Sequence, residues 1–225
     1  MVSNQTAIGR SGRRFGTLGA LSTQNNLWAL HRLGMELRPE RTLEIGLAFG
    51  GSGLVFTAAH RDLGHSPAKQ HVALDPFQAT VWDDCGVQAI ERAGLADYLD
   101  YRAAPSSLEL PKLVGQNAQF GLVYVDGSHL VEDVFVDAYY AARLLPPGGV
   151  VVFDDSTDPH VQKVLRFVRA NLAAGLAEVD LGPYRADGGK GATYRVARLL
   201  GRTQMTAFRR VGPVDRAWDA RFRPF

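Results

Sequence analysis

Cysteine is almost missing from this chain: Cys85 is the only one in 225 residues. A lone thiol cannot close an internal disulfide or build a cysteine-based zinc cluster, and a fold without disulfides fits a reducing compartment, so the expected location is cytoplasmic. Long apolar runs are missing too. No stretch approaches the roughly 20 residues that a membrane-spanning helix needs. The stretch before Gly19 carries Arg10, Arg13 and Arg14 among glycine and serine with no apolar core, so it does not read as a secretory signal. An excess of one charge is the third absence. The 25 basic and 23 acidic residues leave a formal net charge of +2, which gives no reason to expect nucleic acid or a membrane surface as partner. No internal repeat and no low-complexity segment is visible. What remains is an ordinary globular composition, 46% hydrophobic and 21% charged, in a chain long enough to bury a large core without staples.

Along that core, strand and helix signals alternate. Leu27, Leu30, Leu33 and Leu37 recur at helical spacing over residues 22–38, and Pro39 ends the helix. Short apolar strands are expected at 42–46, 71–75, 98–104, 120–125 and 150–153. Helices are expected at 52–63, 80–94, 130–145 and 159–173, with a short turn or helix at 111–114. The strands are apolar throughout rather than alternating, which means a parallel sheet covered on both faces. Two last strands, about 177–182 and 192–199, lack a helix between them and are read as an antiparallel hairpin at one sheet edge. The loop between them, 182–191, holds Gly188, Gly189 and Gly191 and is read as mobile, closing with the N-terminal segment over the strand ends to choose the substrate. The expectation is an α/β fold with a mostly parallel seven-stranded sheet. Residues 1–21 are a flexible, lid-like arm, 22–200 the domain, and 201–225 a C-terminal extension.

Ligands of open α/β sheets bind beyond the carboxyl ends of the strands. Glu44-Ile45-Gly46 ends the first strand, Asp75 the second, Ser106-Ser107 follows the third, Asp126 to His129 the fourth and Asp154-Asp155 the fifth. Polar groups at five strand ends, four of them acidic, argue for one shared site. The first loop has glycines at 46, 50, 51 and 53, with an acid before the first. That is not the G-x-G-x-x-G spacing that seats a pyrophosphate, and an acid beside the loop repels phosphate and attracts a cation. S-adenosylmethionine carries a sulfonium and an ammonium and no phosphate. Asp75 suits a ribose diol, since both hydroxyls can donate to one carboxylate. The bland alternative is a tight turn with a salt-bridged Glu44.

Three segments carry a resemblance. Leu43 to Ser52 resembles motif I of the class I S-adenosylmethionine-dependent methyltransferases. Phe120 to His129 and Leu144 to Asp155 resemble the fourth- and fifth-strand segments of their small-molecule O-methyltransferases, of the catechol and macrocin type. The resemblance covers roughly residues 22–172 and implies the Rossmann-like methyltransferase fold. It implies that Glu44 and the Gly46–Gly50 backbone hold the methionine end of the cofactor, with Phe49 and Ser52 in the same loop. Asp75, with Pro76 and Phe77, would bind the ribose side, Ser106 the adenine edge, and Asp126 would sit under the methyl group. Metal-dependent members bind Mg²⁺ through acids after these two strands. The matching residues are Asp126, Asp154 and Asp155, a hard oxygen set that suits such a cation. The alternative has Asp154 capping the next segment and Asp155 pairing with an arginine. His129 stands where the catechol-type enzymes place a lysine base, and is either the base or a helix cap.

Other residues receive plainer readings. His160 is a rim residue that could face substrate. His60, His65 and His71 are read as solvent-facing, Asp133 and Asp137 as a solvated helix face, and Tyr139 and Tyr140 as core or interface. Trp82 is either an adenine-facing aromatic or helix packing. Cys85 has no partner that would make it a nucleophile. The expected reaction is methyl transfer to a hydroxyl of a small-molecule acceptor, assisted by a divalent metal. A metal-independent O- or N-methyltransferase, an NAD-dependent oxidoreductase and a non-catalytic cofactor-binding module are the alternatives. A homodimer is compatible with the tail, whose Arg, Phe and Trp218 could pack on the body or on a second copy.

Overall fold

The computed structural model describes residues 6–16 and 22–225. A two-stranded ribbon, β1 (Ala7–Ile8) and β2 (Arg14–Phe15), precedes helix α1 (Gln24–Leu37). Strand β3 (Thr42–Ile45), helix α2 (Gly51–Asp62), β4 (His71–Leu74), α3 (Cys85–Arg92), β5 (Leu99–Arg102), α4 (Ser106–Gly115), β6 (Leu122–Val125), α5 (Val131–Leu144), β7 (Val150–Phe153) and α6 (Pro159–Asn171) then alternate. Strand β8 (Leu176–Val179), helix α7 (Ala192–Leu199) and β9 (Thr206–Arg210) close the chain. The seven-stranded sheet has the order β5-β4-β3-β6-β7-β9-β8. Its first five strands are parallel, and β9 is antiparallel to both β7 and β8. This is the expected Rossmann-like architecture.

The strands divide their side chains between two cores. Leu43, Ile45, Val123, Val125, Val151 and Phe153 point toward α4, α5 and α6. Leu122, Tyr124, Val150 and Val152 point the other way, toward Leu30, Leu33 and Phe56 of α1 and α2. Burial on both faces explains the uniformly apolar strands. Among the described residues, no helix is long and apolar enough to cross a membrane.

Three expectations need correction. Residues 192–199 form a helix, and the last strand is 206–210, so the sheet reaches past residue 200 into the stretch read as an extension. Thr193 to Val196 imitates strand alternation, but Val196, Leu199 and Leu200 are spaced as on a helix. The loop at 182–191 is docked on α1 rather than poised over the strand ends. Tyr184 is buried with its hydroxyl on Glu36 (2.7 Å), Arg32 donates to the Arg185 carbonyl (3.2 Å), and the Ala186 N–H to Asn25 (3.1 Å). The described part of the N-terminal arm is also tied down. Arg10 pairs with Asp84 and Glu91 (3.0 Å each), Ser11 donates to Asp83, and Phe15 packs edge-on against Phe49. The rest of that arm, 1–5 and 17–21, lies outside the described residues.

Candidate functional site

The carboxyl ends of β3 to β7 open into one cavity of about 570 Å³, within the range of small-molecule sites. Gly46, Ser52, Asp75, Pro76, Phe77, Ser106, Asp126, His129, Asp154 and Asp155 all line it, so ten of the residues singled out in the sequence come together there. Glu44, Phe49 and Gly50 do not line it.

The first loop owes its shape to close approaches. Gly46 has φ of 91°, and a Cβ there would stand 2.1 Å from the Asp126 carbonyl oxygen, so only glycine lets the ends of β3 and β6 meet. A Cβ at Gly50 (φ 80°) would stand 2.7 Å from the backbone of Gly86, a packing constraint rather than a ligand contact. Asp75 clamps the loop from the next strand. Its Oδ2 accepts from the N–H groups of Leu47 (3.2 Å) and Ala48 (2.9 Å), and its Oδ1 from that of Phe77 (2.8 Å). Phe49 lies beneath, with Phe15 and Trp82 at ring separations of 5.3 and 5.1 Å. Trp82 also reaches the cavity wall.

Glu44 is fully buried on the α2 side of the sheet. Its Oε1 accepts from His71 Nε2 (2.9 Å), and its Oε2 has no hydrogen-bond partner. The contact extends as a chain: His71 Nδ1 to Thr42 Oγ1 (2.9 Å), Thr42 to His60 Nε2 (2.9 Å), and His60 Nδ1 to His65 Nδ1 (3.0 Å). Each group of the chain can donate toward Glu44. His60 and His71 are therefore buried, not solvent-facing; register pairs His71 with Thr42 on the covered face of the sheet. Burial, reinforced by the neighbouring His71 and His65, holds the His60 pKa down at about 3.

At the other side of the cavity the acids crowd. Asp126 and Asp154 share the Tyr124 hydroxyl, at 3.2 and 2.5 Å, and Ser22 lies within 3.5 Å of both. Burial first, and then repulsion from neighbouring acids, raises the Asp126 carboxyl well above its ordinary range; burial raises Asp154 as well. Donor atoms of Asp126, His129 and Asp155 all lie within 4.8 Å of one another. Asp154 is not in that group: it turns inward to Tyr124, to Asn26 Nδ2 (3.4 Å) and to the Asp155 N–H (2.8 Å). The expected trio of aspartates thus becomes two aspartates and a histidine. His129 Nε2 meets Asp155 Oδ2 at 3.1 Å, so Asp155 pairs with histidine rather than arginine. Asp155 holds a left-handed φ of 44° in presenting this carboxylate. Asp158, not Asp154, caps α6, and Ser128 and His160 receive the first N–H groups around α5, a role His129 does not take. His160 does not line the cavity.

Tyr124 and Ser22 were missed as functional candidates. Tyr124 lies on β6 and Asp126 follows directly after its end, two residues on and hence toward the same face, which is the available signal. Asp133 was misplaced: it lines the cavity. Asp137, one turn further, is 1% exposed rather than solvated; burial raises its pKa to about 7 despite a hydrogen bond from Ser106. Tyr139 is exposed, and Tyr140 is half-buried against the α5–α6 core. Cys85 is buried, and burial raises its thiol pKa, as expected of an inert residue.

A family profile described as "Methyltransferase domain" matches residues 43–156, half of the chain and every strand end of the cavity from Gly46 to Asp155. The chain belongs to the methyltransferase-domain family. A search of curated protein sequences returned no significant match. Solved structures are similar over nearly the whole length. The O-methyltransferase TomG from Streptomyces achromogenes, involved in tomaymycin synthesis and solved in complex with SAM, aligns at a TM-score of 0.64 and 22% identity, over 87% of this chain and 84% of that one. An O-methyltransferase from Bacillus cereus in complex with SAH gives 0.60 and 20%, over 86% and 84%. At these identities the likeness is one of fold. For this methyltransferase, family and geometry agree on the same strand ends.

Proposed function

We propose that this methyltransferase takes S-adenosylmethionine as its methyl donor and methylates a hydroxyl oxygen of a small, non-anionic acceptor. The observation that carries the reading is one cavity lined by Asp75, Asp126, Asp133, Asp154 and Asp155 with no lysine or arginine among its described lining residues. Such a wall suits a cationic donor and disfavours the phosphates of NAD. In this reading Asp75 takes the ribose hydroxyls, Ser106 the adenine edge, and Ser52 with the Gly46–Ala48 backbone the methionine end. Glu44, through its own strand, fixes that loop from below. The acceptor enters between His129, Asp133 and Gln204.

The oxygen attacks the sulfonium methyl in line, and the chain's contribution is positioning and charge. His129 stands 3.1 Å from Asp155 at the cavity wall, and an imidazole nitrogen there is the group of this chain offered to receive the acceptor's proton. Asp126, His129 and Asp155 also have the donor types and spacing to hold a divalent cation, which would lower the acceptor's pKa when bound. The two uses of His129 exclude one another. The His129–Asp155 pair, with Asp154 committed to Tyr124, specifically favours a metal-free second reading. A screen of hydroxylated acceptors with S-adenosylmethionine, run with Mg²⁺ and with chelator, separates them. Activity abolished by chelator and restored by Mg²⁺ supports the metal-assisted form, whereas chelator-insensitive turnover lost in His129→Ala supports the base. Methylation confined to amines would reject O-transfer.

A further inference from the structure

The C-terminal tail carries an exposed tryptophan on a clamped turn. On one side of the turn Val214 is buried and Arg143 pairs with Asp215 at 2.7 Å. On the other side Asn171 exchanges two hydrogen bonds with the backbone of Arg223 (2.9 and 3.0 Å), and Phe225 packs edge-on against Phe167, ring centres 5.4 Å apart. Between these clamps the Ala220 N–H donates to the Ala217 carbonyl (3.0 Å), which closes a tight turn with Trp218 and Asp219 at its centre. The Arg216 guanidinium braces the turn by donating to the carbonyls of Ala220 (3.4 Å) and Arg221 (2.8 Å). Trp218 is 99% exposed. Folding thus leaves a large apolar ring in water on a tip whose conformation is already fixed, which is the make-up of an interface anchor.

A cleft of matching character lies beside that tip. Phe135, Tyr139 and Arg143 recur every fourth residue and so share one line of α5. With Phe167, Leu172 and Arg216 they line a cleft of about 310 Å³, separate from the cavity at the strand ends. Its walls are aromatic and its surroundings cationic. Arg143 lies over the Tyr139 ring at 3.5 Å, and Lys163 and Arg166 are exposed on α6. Arg166 donates to Gln162 and Lys163 lies over the Phe225 ring at 5.8 Å; among the described residues neither pairs with a carboxylate. The chain's own Trp218 does not line this cleft, and swinging it inward would break the clamps. We infer that a second copy of this chain fills the cleft with its Trp218 and sets its Asp219 toward Lys163 and Arg166. Arg216 belongs to the cleft wall and stands two residues before Trp218, so tip and cleft share one face. A two-fold axis then lets each copy fill the other's cleft, and the contact closes as a dimer. Charge selects this occupant. An acidic tip complements a basic rim, whereas an anionic lipid surface would meet Asp215 and Asp219 on either side of the indole with like charge. The inference is independent of which methyl donor the protein binds.

Sedimentation velocity on the full chain across the micromolar range tests this. The wild type is expected to pass from monomer to dimer as its concentration rises, and to need a higher concentration when salt is added. Trp218→Ala is expected to raise the dissociation constant by about a hundredfold, because two anchors are lost per dimer. Its thermal transition as a monomer should be unchanged, since the side chain is exposed in the single chain. Tyr139→Ser, on the cleft wall, is expected to raise the constant by about tenfold. An equimolar mixture of the two variants should pair more tightly than Trp218→Ala alone, because one intact tip still meets one intact cleft. Asp219→Lys should weaken the dimer and remove most of its salt dependence. A monomer at every concentration, or a dimer that Trp218→Ala leaves unchanged, would overturn the inference. So would a monomer that binds vesicles of anionic lipid through Trp218.

Discussion

Single residues fix the geometry of this site more than their types suggest. Gly46 is legible in the sequence as a flexible turn, but its stricter requirement appears only when β6 is set beside β3. A methyl group there meets the Asp126 carbonyl at 2.1 Å in a left-handed backbone. Gly46→Ala is therefore expected to cost about 1–3 kcal/mol in stability and to weaken donor binding at least tenfold. Chemical denaturation and calorimetry check the two effects; unchanged values would show that the loop relaxes freely. Glu44 illustrates the opposite limit. Its position before the glycines was readable, but its pairing with His71 depends on strand register, which spacing along one chain does not reveal. The same holds for Asp155, whose partner His129 lies on a neighbouring strand's loop.

Elements show where pattern reading succeeds and where it is deceived. Helix α4 is legible only as a short turn or helix at 111–114, although it runs from Ser106 to Gly115 around Pro111, whereas strands β3, β4, β6 and β7 were legible because each is fully buried and punctuated by proline, glycine or acid. Helix α7 and strand β9 were not, because α7 leaves Leu199 and Leu200 exposed and β9 ends in Arg209-Arg210. Packing rather than pattern decides there: β9 enters the sheet because Ala207 and Phe208 fill the space beside β7 and β8. Loss of a buried Phe alone costs about 3–5 kcal/mol, a large part of a domain's total of about 5–15. A chain ended after Leu200 is expected to lose its cooperative thermal transition, and one ended after Arg216 to keep it; a cooperative transition in the shorter chain would contradict this. The α4–α5 seam carries a pH-dependent contribution. Asp137 is raised from 3.8 to about 7 by burial, so its folded form holds a proton that the unfolded chain releases earlier. Its favourable contribution is present below about 4 and is lost as the pH rises toward 7. Relative to wild type, Asp137→Asn should gain roughly 1–3 kcal/mol in stability between pH 4 and pH 8. Denaturant unfolding across that range measures it, and a constant difference would show that Asp137 does not titrate there.

At the scale of the whole molecule, charge is distributed rather than absent. A chain with nearly balanced charge gathers five aspartates into one cavity and keeps its arginines outside the lining. Net charge predicted no affinity for nucleic acid, but it hid this local excess, which appears only when the strand ends are brought together. That excess unites the account, since it favours a sulfonium donor, disfavours dinucleotides, and offers a place for a divalent cation. The most direct test is titration of the purified protein with S-adenosylmethionine and, separately, with NAD. One molecule of S-adenosylmethionine bound per chain, lost or much weakened in Asp75→Ala, with no detectable heat from NAD, is the predicted result. Binding of NAD, or no binding of S-adenosylmethionine at any concentration tested, would contradict the account.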